Sequence, residues 1–104
     1  MKEILEKLMQ ISYEKENEIP NRFMKLIEEV GEASQMALAF QRNISASESK
    51  KAIATRENVL EELVDVLIVA FDIYIQMSDA EDWISELEEI MNKKLEKWQR
   101  KATS

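Results

Sequence analysis

At 104 residues the chain has room for one domain, 1–104, with one modest core. It contains no Cys, which excludes a disulfide framework, a thiolate metal site and a cysteine nucleophile. It also contains no His, which removes the commonest general base, the usual ligand of zinc, copper and non-haem iron, and any di-iron bundle built on Glu-x-x-His pairs. A net charge of −7 argues against broad nucleic-acid binding, which needs Lys and Arg in excess on one face.

One Gly, one Pro and apolar residues at mostly helical spacing predict an all-α fold of four helices. The first helix is expected from about Lys2 to Glu16, with Ile4, Leu5, Leu8, Met9, Ile11 and Ser12 on its inner face. This segment is charged throughout and lacks an apolar h-region, so it does not read as a signal peptide. After a polar stretch, Pro20 or Asn21 starts a second helix reaching about Arg42. Its expected core face is Phe23, Leu26, Ile27, Val30, Ala33, Ala37 and Leu38.

Residues 43–56 admit two readings: a helix begun by a Ser45/Glu48 capping box, or a loop with a short helical turn ending near Thr55. A third helix follows from about Glu57 to Met77. Ser78 and Glu81 suggest a further capping box, starting a fourth helix from about Ala80 to Lys101. That helix is expected to bury Trp83, Ile84, Leu87, Ile90, Met91, Leu95 and Trp98. The longest apolar run, 63–75, is interrupted by two Asp and is too short to span a bilayer, so a cytoplasmic protein without membrane contact is expected. The third helix is apolar on nearly every side of that run. A chain this small has little with which to surround such a helix, which points to a homodimer or homotetramer.

Within 63–75 only Asp65 and Asp72 are polar. On a helical wheel Asn58, Glu61, Glu62, Asp65, Asp72 and Gln76 fall within a sector of roughly 100°. Unpaired buried carboxylates cost several kcal/mol each, and this helix offers no basic residue between Arg56 and Met77. Either the stripe is solvated or ion-paired, or a cation comes from outside the protein. The second helix carries a matching set in Glu28-Glu29-Val30-Gly31-Glu32. Glu29 with Glu32, and Glu62 with Asp65, are i, i+3 pairs that can each converge on one point. Two such pairs facing each other suit a hard divalent cation with oxygen ligands, and Mg²⁺ in such a shell readily accepts phosphate oxygens. Gly31 inside a helix marks close approach of another backbone or a ligand.

The motifs EEVGE at 28–32 and EELVD at 61–65, with the flanks KLIEEVGEASQ and ENVLEELVDVLIVAFDI, resemble the metal-binding signature of the MazG-like all-α nucleoside triphosphate pyrophosphohydrolases. The basic stretch NKKLEKWQRK at 92–101 is similar to the end of that family's last helix, and the likeness covers roughly residues 20–101. The resemblance implies a four-helix MazG-like bundle completed by oligomerisation, and Mg²⁺-dependent (or Mn²⁺-dependent) cleavage of (d)NTP to (d)NMP and pyrophosphate in nucleotide-pool housecleaning. It implies Glu29, Glu32, Glu62 and Asp65 as metal ligands. Glu28 and Glu61 would orient those ligands or accept the proton of the attacking water. Asp72 could hold a further metal or contact sugar or base. Lys94, Lys97 and Arg100, at i, i+3, i+6, are candidates for phosphate contacts or a solvated basic end favoured by the helix dipole. Lys50, Lys51 and Arg56 could serve similarly, and Met36, Phe40 and Trp98 line either a base pocket or the core. The rival readings are a non-catalytic nucleotide- or metal-binding protein and a structural helical bundle.

Overall fold

The computed structural model describes residues 1–15, 18–44 and 53–103, and all secondary structure among them is helical. Four helices follow in order: α1 (Lys2–Glu14), α2 (Ile19–Arg42), α3 (Arg56–Met77) and α4 (Trp83–Thr103). The Ser45/Glu48 capping box, Lys50 and Lys51 lie outside the described residues.

Local chemistry explains the ends. Pro20 sits in the first turn of α2, where its missing N–H is no loss. At the other end, Asn43 takes the left-handed conformation (φ 58°) that Asn tolerates. Its N–H reaches Phe40 O at 3.2 Å, and the Ile44 N–H reaches Ala39 O at 2.9 Å, a Schellman closure. The Ala54 N–H then bonds Ile44 O at 3.2 Å, pinching the two ends of the connection together. A reciprocal capping box begins α3: Asn58 N–H donates to Thr55 Oγ1, and Thr55 N–H to Asn58 Oδ1. The fourth helix departs from expectation. Asp82, rather than Ser78, is the residue whose carboxylate accepts from the Ser85 N–H and hydroxyl, and Ser78 instead accepts from the Ala80 N–H.

The register of α2 on α3 shows that they run antiparallel. Arg22 meets Asp72, Glu29 and Glu32 meet Glu62, and Met36 and Ala39 share a cluster with Ala54 and Val59. This pair is the most extensive contact in the chain, and α1 packs on α3 beside it. Helix α4 packs extensively on none of the others; its anchor is Trp83, buried with its indole N–H directed at Met9 Sδ. The radius of gyration, 16.7 Å, exceeds the roughly 13 Å expected of a compact chain this long.

Several expected core residues lie at the surface. The inner face of α2 is Arg22, Leu26, Glu29, Ala33, Met36 and Ala39; it keeps Leu26 and Ala33 of the expected face, while Phe23, Ile27, Val30, Ala37 and Leu38 are exposed. On α1, Ser12 is the buried residue, and Ile4 and Ile11 are exposed. On α4, Ile90, Met91, Leu95 and Trp98 are exposed, leaving Trp83 buried with Ile84 and Leu87 half-buried. The physical reason is common to all three. Each helix is apolar over more of its circumference than three neighbours can cover, and polar contacts decide which side turns inward.

Candidate metal centre

The third helix turns Glu62 and Asp72 of its acidic stripe inward and leaves Glu61 and Asp65 exposed. Glu62 faces α2, and carboxylate oxygens of Glu29, Glu32 and Glu62 all lie within 4.8 Å of one another. The i, i+3 spacing of Glu29 and Glu32 stacks them on one side of α2, and the antiparallel register sets Glu62 opposite. Glu29 is 7% exposed, Glu62 is half-buried and Glu32 is exposed, so the cluster opens at one rim.

The donor set fits a hard divalent cation, since it offers oxygen only. An ion bound at about 2.1 Å places its ligand oxygens about 3 Å apart when adjacent and about 4.2 Å apart when opposite. Three oxygens within 4.8 Å of one another come near the spacing that such an ion requires. Other positions would remain for water or a ligand.

Asp65, the fourth expected ligand, does not join the cluster; it is exposed. On the wheel Asp65 lies roughly 60° from Glu62, so the i, i+3 spacing alone does not bring the two carboxylates to one point. Glu28 and Glu61, expected to orient the ligands or to accept the water proton, are both exposed. Lys94, Lys97 and Arg100 are exposed on the outer half of α4, and packing within one chain does not bring them to the carboxylates. Gly31 meets no close neighbour: a Cβ there would find no heavy atom within 4 Å. Met36 is core, whereas Phe40 and Trp98 are exposed.

Asp72 has a different environment from the one its place in the stripe suggested. It is ion-paired with Arg22 of α2, accepts a hydrogen bond from Ser12 of α1, and is buried with both. Arg22 also donates to Lys15 O at 2.8 Å, and Gln76 Nε2 donates to Ser12 O at 2.9 Å, so the network clasps three helices. The cation at Asp72 is thus a protein side chain, reached from another helix rather than from α3. Asp72 also borders a groove of about 880 Å³ between α1, α2 and α3, with Ile11, Ile27 and Ile68 among its walls and Lys7 and Lys15 at its edge.

Sequence reasoning missed Arg22 and Lys25. Lys25 Nζ lies 2.9 Å from Glu29 and 3.7 Å from Glu28, one turn away on the same helix. The hydrogen bond to Glu29, and then the charge of Glu28, raise the Lys25 pKa above its ordinary value. The signal was present in K-x-x-E-E at 25–29, a spacing that brings charges together on any helix. No comparable signal existed for Arg22, whose partner is distant in sequence.

Compared with known proteins, the chain matches no family model, no curated protein and no solved structure.

Proposed function

We propose that the chain is a divalent-metal-dependent nucleoside triphosphate pyrophosphohydrolase of the MazG-like kind, acting as a homodimer or homotetramer. The observation that carries this reading is the convergence of Glu29, Glu32 and Glu62 from two helices on a space that suits one hard cation. Both resembling motifs, EEVGE and EELVD, supply members of that cluster. The exposed apolar side chains of all four helices favour an assembly, since a monomer leaves them in water.

Glu29, Glu32 and Glu62 would hold Mg²⁺ or Mn²⁺, and Asp65 is the fourth ligand that the resemblance implies. An ion held there would neutralise charge at the phosphates and lower the pKa of the attacking water. Water attacks the α-phosphorus, the bond from that phosphorus to the α–β bridging oxygen breaks, and pyrophosphate leaves with the bridging oxygen. Glu61 or Glu28, both open to solvent, would accept the proton of the attacking water. Lys94, Lys97 and Arg100 would grip phosphate oxygens. Asp72, already satisfied by Arg22 and Ser12, shapes the floor of the neighbouring groove, where sugar or base would lie.

The structural rival draws on one observation: Lys25 already sits on Glu29, as Arg22 does on Asp72. The two readings part in one experiment. The protein is incubated with a panel of NTPs and dNTPs, with and without Mg²⁺, and pyrophosphate is measured. Metal-dependent release supports the enzyme; its absence across the panel supports the structural bundle.

A further inference from the structure

Helices α1 and α2 each pack on α3 and leave a cleft between them, the groove of about 880 Å³ that Asp72 borders. That volume lies in the range of pockets that hold small molecules, roughly 300–1,000 Å³. Its walls are apolar side chains left in water. Ile4, Met24 and Ile27 are 62%, 67% and 71% exposed, with Ile11 beside them and Ile68 of α3 below. An open apolar cleft of this kind is what ligand-binding grooves present to solvent.

The charges around the groove run against those of the chain. Acidic residues outnumber basic ones 21 to 14 in the sequence, yet four basic and two acidic residues line the groove. Both acids are already matched, Asp72 by Arg22 and Glu28 by Lys25 at 3.7 Å. Lys7 and Lys15 are left over: among the described residues no ion pair engages either. The groove therefore carries a surplus of positive charge on an acidic protein.

Polar and apolar residues are also set apart along its length. Arg22 donates to Lys15 O at 2.8 Å and pairs with Asp72. These contacts gather Lys15, Arg22 and Asp72 at one end of the groove, near the end of α1 and the start of α2, and Asn21 adjoins Arg22 there. From Lys15, the wall residues Ile11, Leu8 and Ile4 lie one, two and three turns back along α1, the last roughly 16 Å away. We propose that this groove binds a free amphiphile of one alkyl chain ending in one carboxylate. Its head sits at Lys15 and Asn21, and its chain runs along Ile11, Leu8 and Ile4 over Ile68. The span suits about twelve carbons in staggered form. One channel takes one chain, which sets this ligand apart from a two-chain bilayer lipid. A cationic head would meet Lys15 with no carboxylate free to answer it. A ligand so seated occupies the space given above to sugar or base, and it binds without metal or nucleotide.

Isothermal titration of the metal-free and nucleotide-free chain with dodecanoate, kept below its self-association concentration, should show saturable binding of one molecule per chain. Dodecyltrimethylammonium, with the same chain and the opposite charge, should bind at least about tenfold more weakly. Lys15→Glu should weaken dodecanoate at least about tenfold at low ionic strength. Lys93→Glu, the same charge change on α4 outside the groove, should leave the affinity within about twofold. Ile4→Gln removes apolar wall without altering charge and should weaken both amphiphiles alike. All three positions are exposed, and circular dichroism checks the helicity of each variant. No saturable binding, several molecules bound per chain, or equal affinity for the cationic amphiphile would each overturn the proposal. So would equal effects of Lys15→Glu and Lys93→Glu, or no effect of Ile4→Gln.

Discussion

Replacing Asp72 with Leu should destabilise the chain more than any surface change. Arg22 is 4% exposed, and its guanidinium is matched inside the protein by the Asp72 carboxylate and by Lys15 O. Removing one partner of a buried pair typically costs about 3–5 kcal/mol, because the remaining charge stays in a poor solvent. A chain of this size is stable by about 5–15 kcal/mol in total. With a urea m-value of about 1.5 kcal/mol/M, the midpoint should fall by about 2–3 M. Arg22→Met should fall comparably. The double variant Arg22→Met/Asp72→Leu should recover most of the loss, since two apolar side chains of similar volume leave no charge unmatched. Urea titrations of all four proteins, followed by circular dichroism at one protein concentration, give the coupling energy. Single losses below about 1 kcal/mol, or strict additivity in the double variant, would refute the clasp as a buried pair.

Binding of a cation to the native cluster should raise the melting temperature. At ten times its Kd, Mg²⁺ contributes about 1.4 kcal/mol, or roughly 5–10 °C by calorimetry. Lys25→Gln should tighten Mg²⁺ binding about three- to tenfold at low salt, measured by isothermal titration, because a positive charge next to Glu29 competes with the ion. Hydrogen bonds from Tyr74 and then Ser78 hold the Glu86 carboxyl below its ordinary range. That stability is present above the unfolded carboxyl value and is lost as pH falls through the lower folded value. Acid unfolding of Glu86→Gln should therefore respond less to pH below about 4.5 than the parent does.

The four helices were legible because their signals are local: the 3.6-residue period, Pro20 near the start of α2, and the absence of other breakers. The convergence of Glu29, Glu32 and Glu62 was legible for the same reason, as two short spacings on neighbouring helices. Which face turns inward was not. Phe23, Ile27 and Val30 make α2 look apolar on one side, yet Arg22 and Glu29 occupy the buried side, bonded to residues 50 and 4 positions away. A wheel cannot distinguish a core face from a face that one chain leaves open. The role of Asp72 was hidden likewise, since its counter-ion lies on a different helix. Asp65 shows the limit of spacing alone: i, i+3 permits convergence with Glu62 without imposing it.

In the proposed function, carboxylates on α2 and α3 act together on a metal-bound triphosphate. Pyrophosphate release over a Mg²⁺ titration, compared between the parent, Glu32→Gln, Glu62→Gln and the double variant, tests it most directly. Each single change should lower turnover by at least about 100-fold, the scale of losing a transition-state charge stabiliser. The double variant should be scarcely worse than either single, because a site missing one ligand is already disabled. Full activity in the double variant, or no Mg²⁺-dependent pyrophosphate from the parent with any nucleotide, would contradict the claim.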